Sequence, residues 1–222
     1  SSAIITVGIS GGTIALSGTT TATAVNGVAT FADLGKYGTV ATAKTLTYSS
    51  GVLTSATQTF TLTYGAATKV VATTPAAGFA NNAAFTTQPV IAVQDADGNT
   101  VLNSTATVSI SSSGATLSGT SSTSMDAVAG IADFVGKGVK LTGSTGTYTL
   151  TYASTGLTSD TQSITLTAGA ADHLALITSA AGARSGQVFD TQPVVEVQDI
   201  SNNPVPNSGL LVGINGNGIS GT

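Results

Sequence analysis

The chain contains the stretch "FTTQPVIAVQDADGN" from Phe85 to Asn99, which returns as "FDTQPVVEVQDISNN" from Phe189 to Asn203. The second copy begins 104 residues after the first. A period of this length is too long for a solenoid unit, and it matches the size of an independently folding domain. The sequence therefore predicts a row of repeated domains and not one large fold.

The repetition extends well beyond this stretch. "LTYSSGVLTSATQTFTLTYGAA" from Leu46 to Ala67 returns as "LTYASTGLTSDTQSITLTAGAA" from Leu150 to Ala171, again 104 residues on. Aligning the copies divides the chain into three predicted domains. Residues 1–64 are the C-terminal part of one repeat, 65–168 are a complete repeat, and 169–222 are the N-terminal part of a further repeat.

Within each repeat the hydrophobic period is two. In "TYTLTY", for example, Tyr148, Leu150 and Tyr152 share one face, and threonines occupy the other. Strict alternation of this kind is typical of a half-buried strand. The composition agrees, because 40 Thr, 25 Ser and 27 Gly favour strands and turns over helices. We expect an all-β chain of antiparallel β-sandwiches, with about seven or eight short strands in each repeat.

The alternation also predicts which side chains form the core of the complete repeat. Ala92 is predicted to face solvent, because Glu196 occupies its place in the later copy. The residues predicted to point inward are Ile91, Val93, Val108, Ile110, Phe134, Leu150, Tyr152, Ile164 and Leu166.

The composition excludes several classes of function. Only 7% of the residues are charged, and six Lys plus Arg against ten Asp plus Glu leave no basic surface for nucleic acid or anionic lipid. The absence of Cys excludes disulfides, thiolate metal sites and cysteine nucleophiles. No apolar run approaches the length of a membrane span, and no signal peptide opens the chain.

Asp95, Asp97 and Asn99 place three oxygen-bearing side chains close together, a pattern that would suit Ca²⁺. An EF-hand loop, however, has Gly at its sixth position and Glu at its twelfth, and neither is present here. Asp, Gly and Asn are also the residues that a tight turn requires. We expect a turn and no metal. The same two aspartates form the closest carboxylate pair in the sequence, and we expect no acid–base role for them.

Four further motifs have simple structural interpretations. His173 stands alone, without a second His or a Cys, and is expected at the surface. Asn103 begins an N-x-S/T sequon and is a candidate for glycosylation. Lys69 is the residue best placed for an isopeptide bond, but His173 follows the same motif in the next copy, and we expect no such bond. The stretch "GNGISG" at 216–221 fits a nucleotide-binding pattern, but we expect a loop because the preceding copy reads "SSGATLSGT".

The pattern "TTQPVIAVQDADGNTV … ATVSI … LSGT … GIADF … GTYTLTY … LTSDTQSITLT" resembles the bacterial immunoglobulin-like repeats of invasin- and intimin-type surface proteins. The resemblance covers essentially the whole chain as tandem copies. It implies Ig-like sandwiches that act as a stalk, with "QDADGN" as the turn between two early strands. "GTYTL" also resembles the tyrosine corner of such domains, with Tyr148 bonded to backbone a few residues upstream. Lys44 occupies the matching position in the first copy.

Together these features predict a non-enzymatic extracellular structural protein, a stalk, fibre or filament at a cell surface, without catalytic residues, cofactors or bound metal. The alternatives are an adhesin or carbohydrate-binding module, and a fibre or decoration protein of a virus. The expected partners are further copies of the same repeat, arranged head to tail. Two interpretations of the incomplete end repeats remain: covalent neighbours in a longer array complete them, or the tail of one chain completes the head of the next.

Overall fold

The computed structural model describes residues 2–40, 43–120 and 122–214, and every regular element in these ranges is a β-strand. The prediction of an all-β chain is therefore confirmed. Among the described residues, no helix has the length and apolar character needed to cross a membrane. Below, residues 1–64, 65–168 and 169–222 are called the first, middle and last segments.

The first segment contains a four-stranded antiparallel sheet and a separate two-stranded ribbon. The sheet has the order β3-β1-β5-β6, and the ribbon pairs β2 with β4. The six strands are β1 (Ile4–Ser10), β2 (Ile14–Ser17), β3 (Thr21–Thr23), β4 (Gly35–Gly38), β5 (Ala43–Ser49) and β6 (Ala56–Thr61).

The middle segment contains nine strands in its described part, more than the seven or eight that the sequence predicts. Four of them are only three residues long, which is too short for an alternating pattern to be recognised. The strands are β7 (Lys69–Thr74), β8 (Val90–Gln94), β9 (Thr107–Ser112), β10 (Thr116–Ser118), β11 (Ser124–Asp126), β12 (Ile131–Asp133), β13 (Lys140–Thr142), β14 (Gly146–Ala153) and β15 (Asp160–Leu166).

Two sheets of the middle segment enclose one hydrophobic core. A four-stranded sheet of order β11-β9-β14-β15 and a three-stranded sheet of order β12-β8-β7 both contribute side chains to it, and β10 pairs with β13 beside them. This arrangement fits the β-sandwich class. All nine side chains predicted to point inward are buried, so the strand registers predicted from the alternation are confirmed.

The prediction for Ala92 is wrong, because this residue is fully buried and does not face solvent. It lies in the central strand of the three-stranded sheet, opposite Val71 on one side and Ile131 on the other. A small side chain between two larger cross-strand neighbours is shielded from water on either face of a sheet. Glu196 is partly exposed, in a strand that pairs on one edge only within the part of the chain that the structure describes.

The last segment contributes a hairpin of two described strands, β16 (His173–Thr178) and β17 (Val194–Gln198). This hairpin repeats the geometry of β7 and β8, down to the position of a β-bulge. The irregularity lies between Leu176 and Thr178 in one hairpin and between Ala72 and Thr74 in the other.

Candidate functional site: the junctions between segments

The middle and last segments each carry a tight turn directly after their second strand, at 95–99 and at 199–203. The fourth residue of each turn has a left-handed backbone conformation, with φ of 85° at Gly98 and 61° at Asn202. Gly and Asn adopt this conformation at low cost, which explains why the two residues replace each other. The predicted turn at 95–99 is therefore confirmed.

The Asp95 carboxylate organises the first turn and lies buried beneath it. Its Oδ1 accepts hydrogen bonds from the backbone N–H of Asp97 at 3.0 Å and of Asn99 at 2.8 Å. Its Oδ2 accepts from the backbone N–H of Gly65 at 2.8 Å and from the Asn99 Nδ2 at 2.9 Å. The oxygens that a calcium ion would require are thus directed at N–H donors of the protein.

Asn99 reaches from this turn into the first segment. Its Nδ2 donates to the Gly38 carbonyl at 3.1 Å, and its Oδ1 accepts from the Val40 backbone N–H at 3.0 Å. One buried side chain therefore binds a carbonyl and an N–H of the neighbouring segment, while the Asp95 carboxylate accepts a hydrogen bond from the same Nδ2. We call this pair, together with its backbone partners, the first junction clasp.

The same clasp recurs between the middle and last segments. Asp199 accepts from the Gly169 N–H at 2.8 Å and from Asn203, and both side chains are buried. The Asn203 Nδ2 donates to the Gly143 carbonyl at 2.9 Å, and its Oδ1 accepts from the Thr145 N–H at 2.8 Å. We call this the second junction clasp.

The two clasps differ in one participant. In the second clasp the Asn81 Nδ2 donates to the Asp199 carboxylate at 2.9 Å, and the Asn81 Oδ1 accepts from the Gly143 N–H at 2.9 Å. In the first clasp the equivalent N–H, that of Gly38, donates to Asp97 at 3.2 Å. In the first clasp the exposed Asp97 carboxylate thus takes the place of the buried Asn81 amide, which has no counterpart among the described residues of the first segment.

Both clasp aspartates are held in the charged form. Burial opposes ionisation of Asp95, but hydrogen bonds from the Asn99 side chain and the Gly65 N–H outweigh it and hold its pKa below the ordinary value. Burial also opposes ionisation of Asp199, and its bonds from Gly169, Asn203 and Asn81 hold its pKa well below the ordinary value. A charged acceptor strengthens each of these hydrogen bonds.

Sequence reasoning missed the contacts that Asn99 and Asn203 make to the preceding segment. A signal was present, because the first and last residues of the turn are the same in both copies while the three between them change from "ADG" to "ISN". A turn alone needs the left-handed position, which varies here between Gly and Asn. The fixed Asp and Asn therefore pointed to an additional role.

The remaining candidate residues lie apart from the junction clasps or at their margins. His173 is exposed as predicted, and the Asp172 carboxylate 3.0 Å from its Nδ1 raises its pKa. Asn103 is also exposed, and its sequon stays a candidate for glycosylation. Lys69 pairs in β7 with Gln94 of β8. The stretch 216–221 lies outside the described residues, and within the described ranges no three His, Asp or Glu side chains cluster as metal ligands would.

The predicted tyrosine corner is confirmed, since the Tyr148 hydroxyl donates to the Ser144 carbonyl at 2.8 Å. Lys44, at the matching position of the first segment, is fully buried and donates from Nζ to the Gly11 carbonyl. In both segments the side chain at this position donates a hydrogen bond to a backbone carbonyl, but the two acceptors lie at different distances along the sequence. The corner bond is local, whereas Lys44 reaches a residue 33 positions away.

No protein-family model and no curated protein matches the chain. Among solved structures, a β-glucuronidase from glycoside hydrolase family 2 matches 93% of the chain at 16% identity and a TM-score of 0.40. A β-glycosidase from Bacteroides vulgatus matches 73% at 14% identity and a TM-score of 0.37. The chain spans about a fifth of the length of either, 21% in each case. Similarity at this level supports no conclusion about activity.

Proposed function

We propose that the chain is part of a tandem array of immunoglobulin-like sandwiches and serves as a non-enzymatic structural element, a stalk, fibre or filament outside the cell. The observation that carries this proposal is the recurrence of the same buried Asp–Asn clasp at both junctions. A device that fixes one segment to the next, repeated at the domain period, suits a rod and has no use in a set of independent domains.

The strand order of the middle segment supports the Ig-like assignment. An Ig-type sandwich places its first, second and fifth strands in one sheet and its third, sixth and seventh in the other. Here β7, β8 and β12 form one sheet, and β9, β14 and β15 lie in the other, with β11 at its edge. The Tyr148 corner is a second feature of that class.

The clasp explains how such an array would resist bending. A short linker alone restricts reach but leaves rotation free. In each clasp the Asn side chain makes two of the hydrogen bonds that cross the junction, one as donor and one as acceptor. Two bonds from one planar amide to two backbone groups restrain both bending and twisting, so the mechanism proposed for the chain is mechanical.

The test measures stiffness at the first junction. The chain has no Cys, so spin labels can be attached at Ser49 and Ser163, both exposed, after each is replaced by cysteine. Double electron–electron resonance should give a narrow distance distribution, and Asn99→Ala should broaden it because both bonds of the Asn99 side chain to the first segment disappear and only the exposed bond from the Gly38 N–H to Asp97 remains. The matched control is Asn103→Ala, an exposed residue four positions away, which should leave the distribution unchanged. A broad distribution in the unmodified junction would contradict the proposal.

A further inference from the structure

The first strand of the middle segment runs parallel to its last strand. Bridges join Lys69 to Thr158 and Ala80 to Thr167, both in parallel orientation. Since β7 belongs to the three-stranded sheet and β15 to the four-stranded one, this contact closes the sandwich along one edge. We call residues 68–81 and 158–167, together with the hydrogen bonds between them, the closing seam.

Backbone hydrogen bonds fasten the closing seam at both of its ends. At one end the Thr158 N–H donates to the Thr68 carbonyl at 2.9 Å, and the Val70 N–H donates to the Thr158 carbonyl at 3.0 Å. At the other end the Asn81 N–H donates to the Thr167 carbonyl at 2.9 Å. The two stretches are therefore held in register over their whole length.

Two side chains of β15 connect the stretches in the middle of the closing seam. The Asp160 Oδ2 accepts from the Ala72 N–H at 2.9 Å. The Gln162 Oε1 accepts from the Ala76 N–H at 3.1 Å, and its Nε2 donates to the Ala76 carbonyl at 2.7 Å. These bonds lie on either side of the β-bulge between Ala72 and Thr74, where the pairing of β7 with β8 is irregular. The two side chains thus continue the hydrogen bonding past an irregular stretch of backbone.

The connections to the neighbouring segments would load the closing seam along its length. The chain enters the middle segment next to Thr68 and leaves it after Thr167, and these two positions lie at opposite ends of the parallel stretches. Tension between the first and last segments therefore pulls one stretch past the other. Bonds loaded in this direction are all stretched together, whereas stretches that are pulled apart from one end lose their bonds one at a time.

We propose that the closing seam is the element of the middle segment that resists tension, and that Asp160 and Gln162 strengthen it. Forced unfolding is governed by the unfolding rate, which is lowered by interactions that the folded state has and the transition state lacks. The bonds of the closing seam are of this kind under tension, because the two stretches cannot slide until these bonds break. This inference rests on the proposed function, since only a chain that is under tension would use such an element.

Single-molecule pulling of the full chain in two directions tests the closing seam. The native chain has no Cys, so Thr63→Cys and Ala171→Cys, both at exposed positions, attach handles on either side of the middle segment and load the seam along its length. Thr63→Cys with Ser159→Cys instead pulls the two stretches apart from their common end. At equal force the middle segment should unfold on the order of tenfold more slowly with the first pair of handles. Equal rates in the two directions would overturn the proposal.

Variants with the same handles test the side chains. Asp160→Ala should raise the unfolding rate along the closing seam on the order of tenfold, because a hydrogen bond to a charged acceptor is lost. Asp160→Asn should restore most of the native rate, since its amide oxygen can still accept from the Ala72 N–H. Gln162→Glu, which loses the donor to the Ala76 carbonyl, should act in the same direction as Asp160→Ala.

The direction of pulling separates a mechanical role from a general effect on stability. Asp160→Ala should change the rate little when the stretches are pulled apart from one end, and the matched control Asp126→Ala, in β11 at the opposite edge of the same sheet, should change neither rate. Equal acceleration in both directions would show that Asp160 only stabilises the fold, and would overturn the inference. The spin-label measurement at the first junction uses no force and does not involve the closing seam, so the two proposals fail separately.

Discussion

The first and middle segments contain the same arrangement of four strands, but among the described residues only the middle segment has a second sheet packed on it. The consequence is visible at equivalent positions: Ile110 is buried, whereas Ile9 is half-buried on an open face. Within the described residues, the first sheet has the same ladder of four strands as its counterpart and no second layer against it. What the second layer adds is the removal of apolar surface from water, which is the dominant favourable term in folding.

Truncating a core side chain should give the largest difference in stability loss between the first and middle segments. Ile110→Ala should lower the free energy of unfolding of the middle segment by about 2–5 kcal/mol, because it leaves a cavity in a closed core. Ile9→Ala should cost about 1 kcal/mol or less, since its methyl groups are already partly in contact with water. Hydrogen exchange in β9 and β1, measured by mass spectrometry, reads each segment separately. Equal costs would mean that the first segment is covered in solution.

Adding a methyl group should distinguish the two junctions. A Cβ on Gly169 would lie 2.3 Å from the Asn81 carbonyl oxygen, whereas a Cβ on Gly65 would meet nothing closer than 3.6 Å. Gly169→Ala should therefore destabilise the second junction by about 1–3 kcal/mol, and Gly65→Ala should be close to neutral. The reason is that the loop containing Asn81 has no described counterpart in the first segment. Thermal unfolding of both variants beside the native chain measures this difference.

Removing one hydroxyl should have a smaller effect with the same sign. The Tyr152 hydroxyl donates to the Gln162 side chain at 2.8 Å within the closed core, but the equivalent Tyr48 hydroxyl lies 3.4 Å from Gln58 in an exposed position. Tyr152→Phe should cost about 0.5–1.5 kcal/mol, and Tyr48→Phe should stay within a few tenths of zero, about 0.3 kcal/mol. Denaturant titration of both variants tests the pair. A substantial loss in Tyr48→Phe would show that the first sheet is better buried than its exposure suggests.

The smallest expected difference lies in the acid sensitivity of the two clasps. Both aspartates have folded-state pKa values below the unfolded value of about 3.9, so their contribution to stability is complete above that pH and is lost as pH falls through the folded values. Asp199 accepts an additional bond from Asn81 and should remain ionised to lower pH than Asp95. Carboxyl chemical shifts measured by NMR during acid titration give the order, and Asn81→Ala should bring the two titrations together.

The sequence determined the strands and the inward faces. Alternation along a strand is a local property, and β9 and β14 are six and eight residues long, so Val108, Ile110, Leu150 and Tyr152 could be assigned from their neighbours alone. Comparison of the copies then fixed the register at Ile91 and Val93. The tyrosine corner was predicted from the resemblance of "GTYTL" to Ig-type domains, and Tyr148 bonds a carbonyl four residues away.

Only the tertiary structure decided what the polar residues do. Asp95 binds a backbone N–H 30 positions earlier, and Asn99 binds a carbonyl 61 positions earlier in a different segment. Ala92 is buried between two strands, β7, which precedes it in the sequence, and β12, which follows it. A sequence pattern shows how residues close together in the chain are spaced. The roles of Asp95, Asn99 and Ala92 depend instead on which backbone groups from distant parts of the chain lie next to them with hydrogen-bond donors and acceptors to satisfy. Burial leaves such groups no water to bind, and so the position of the neighbouring segment determines the role of the Asp and the Asn.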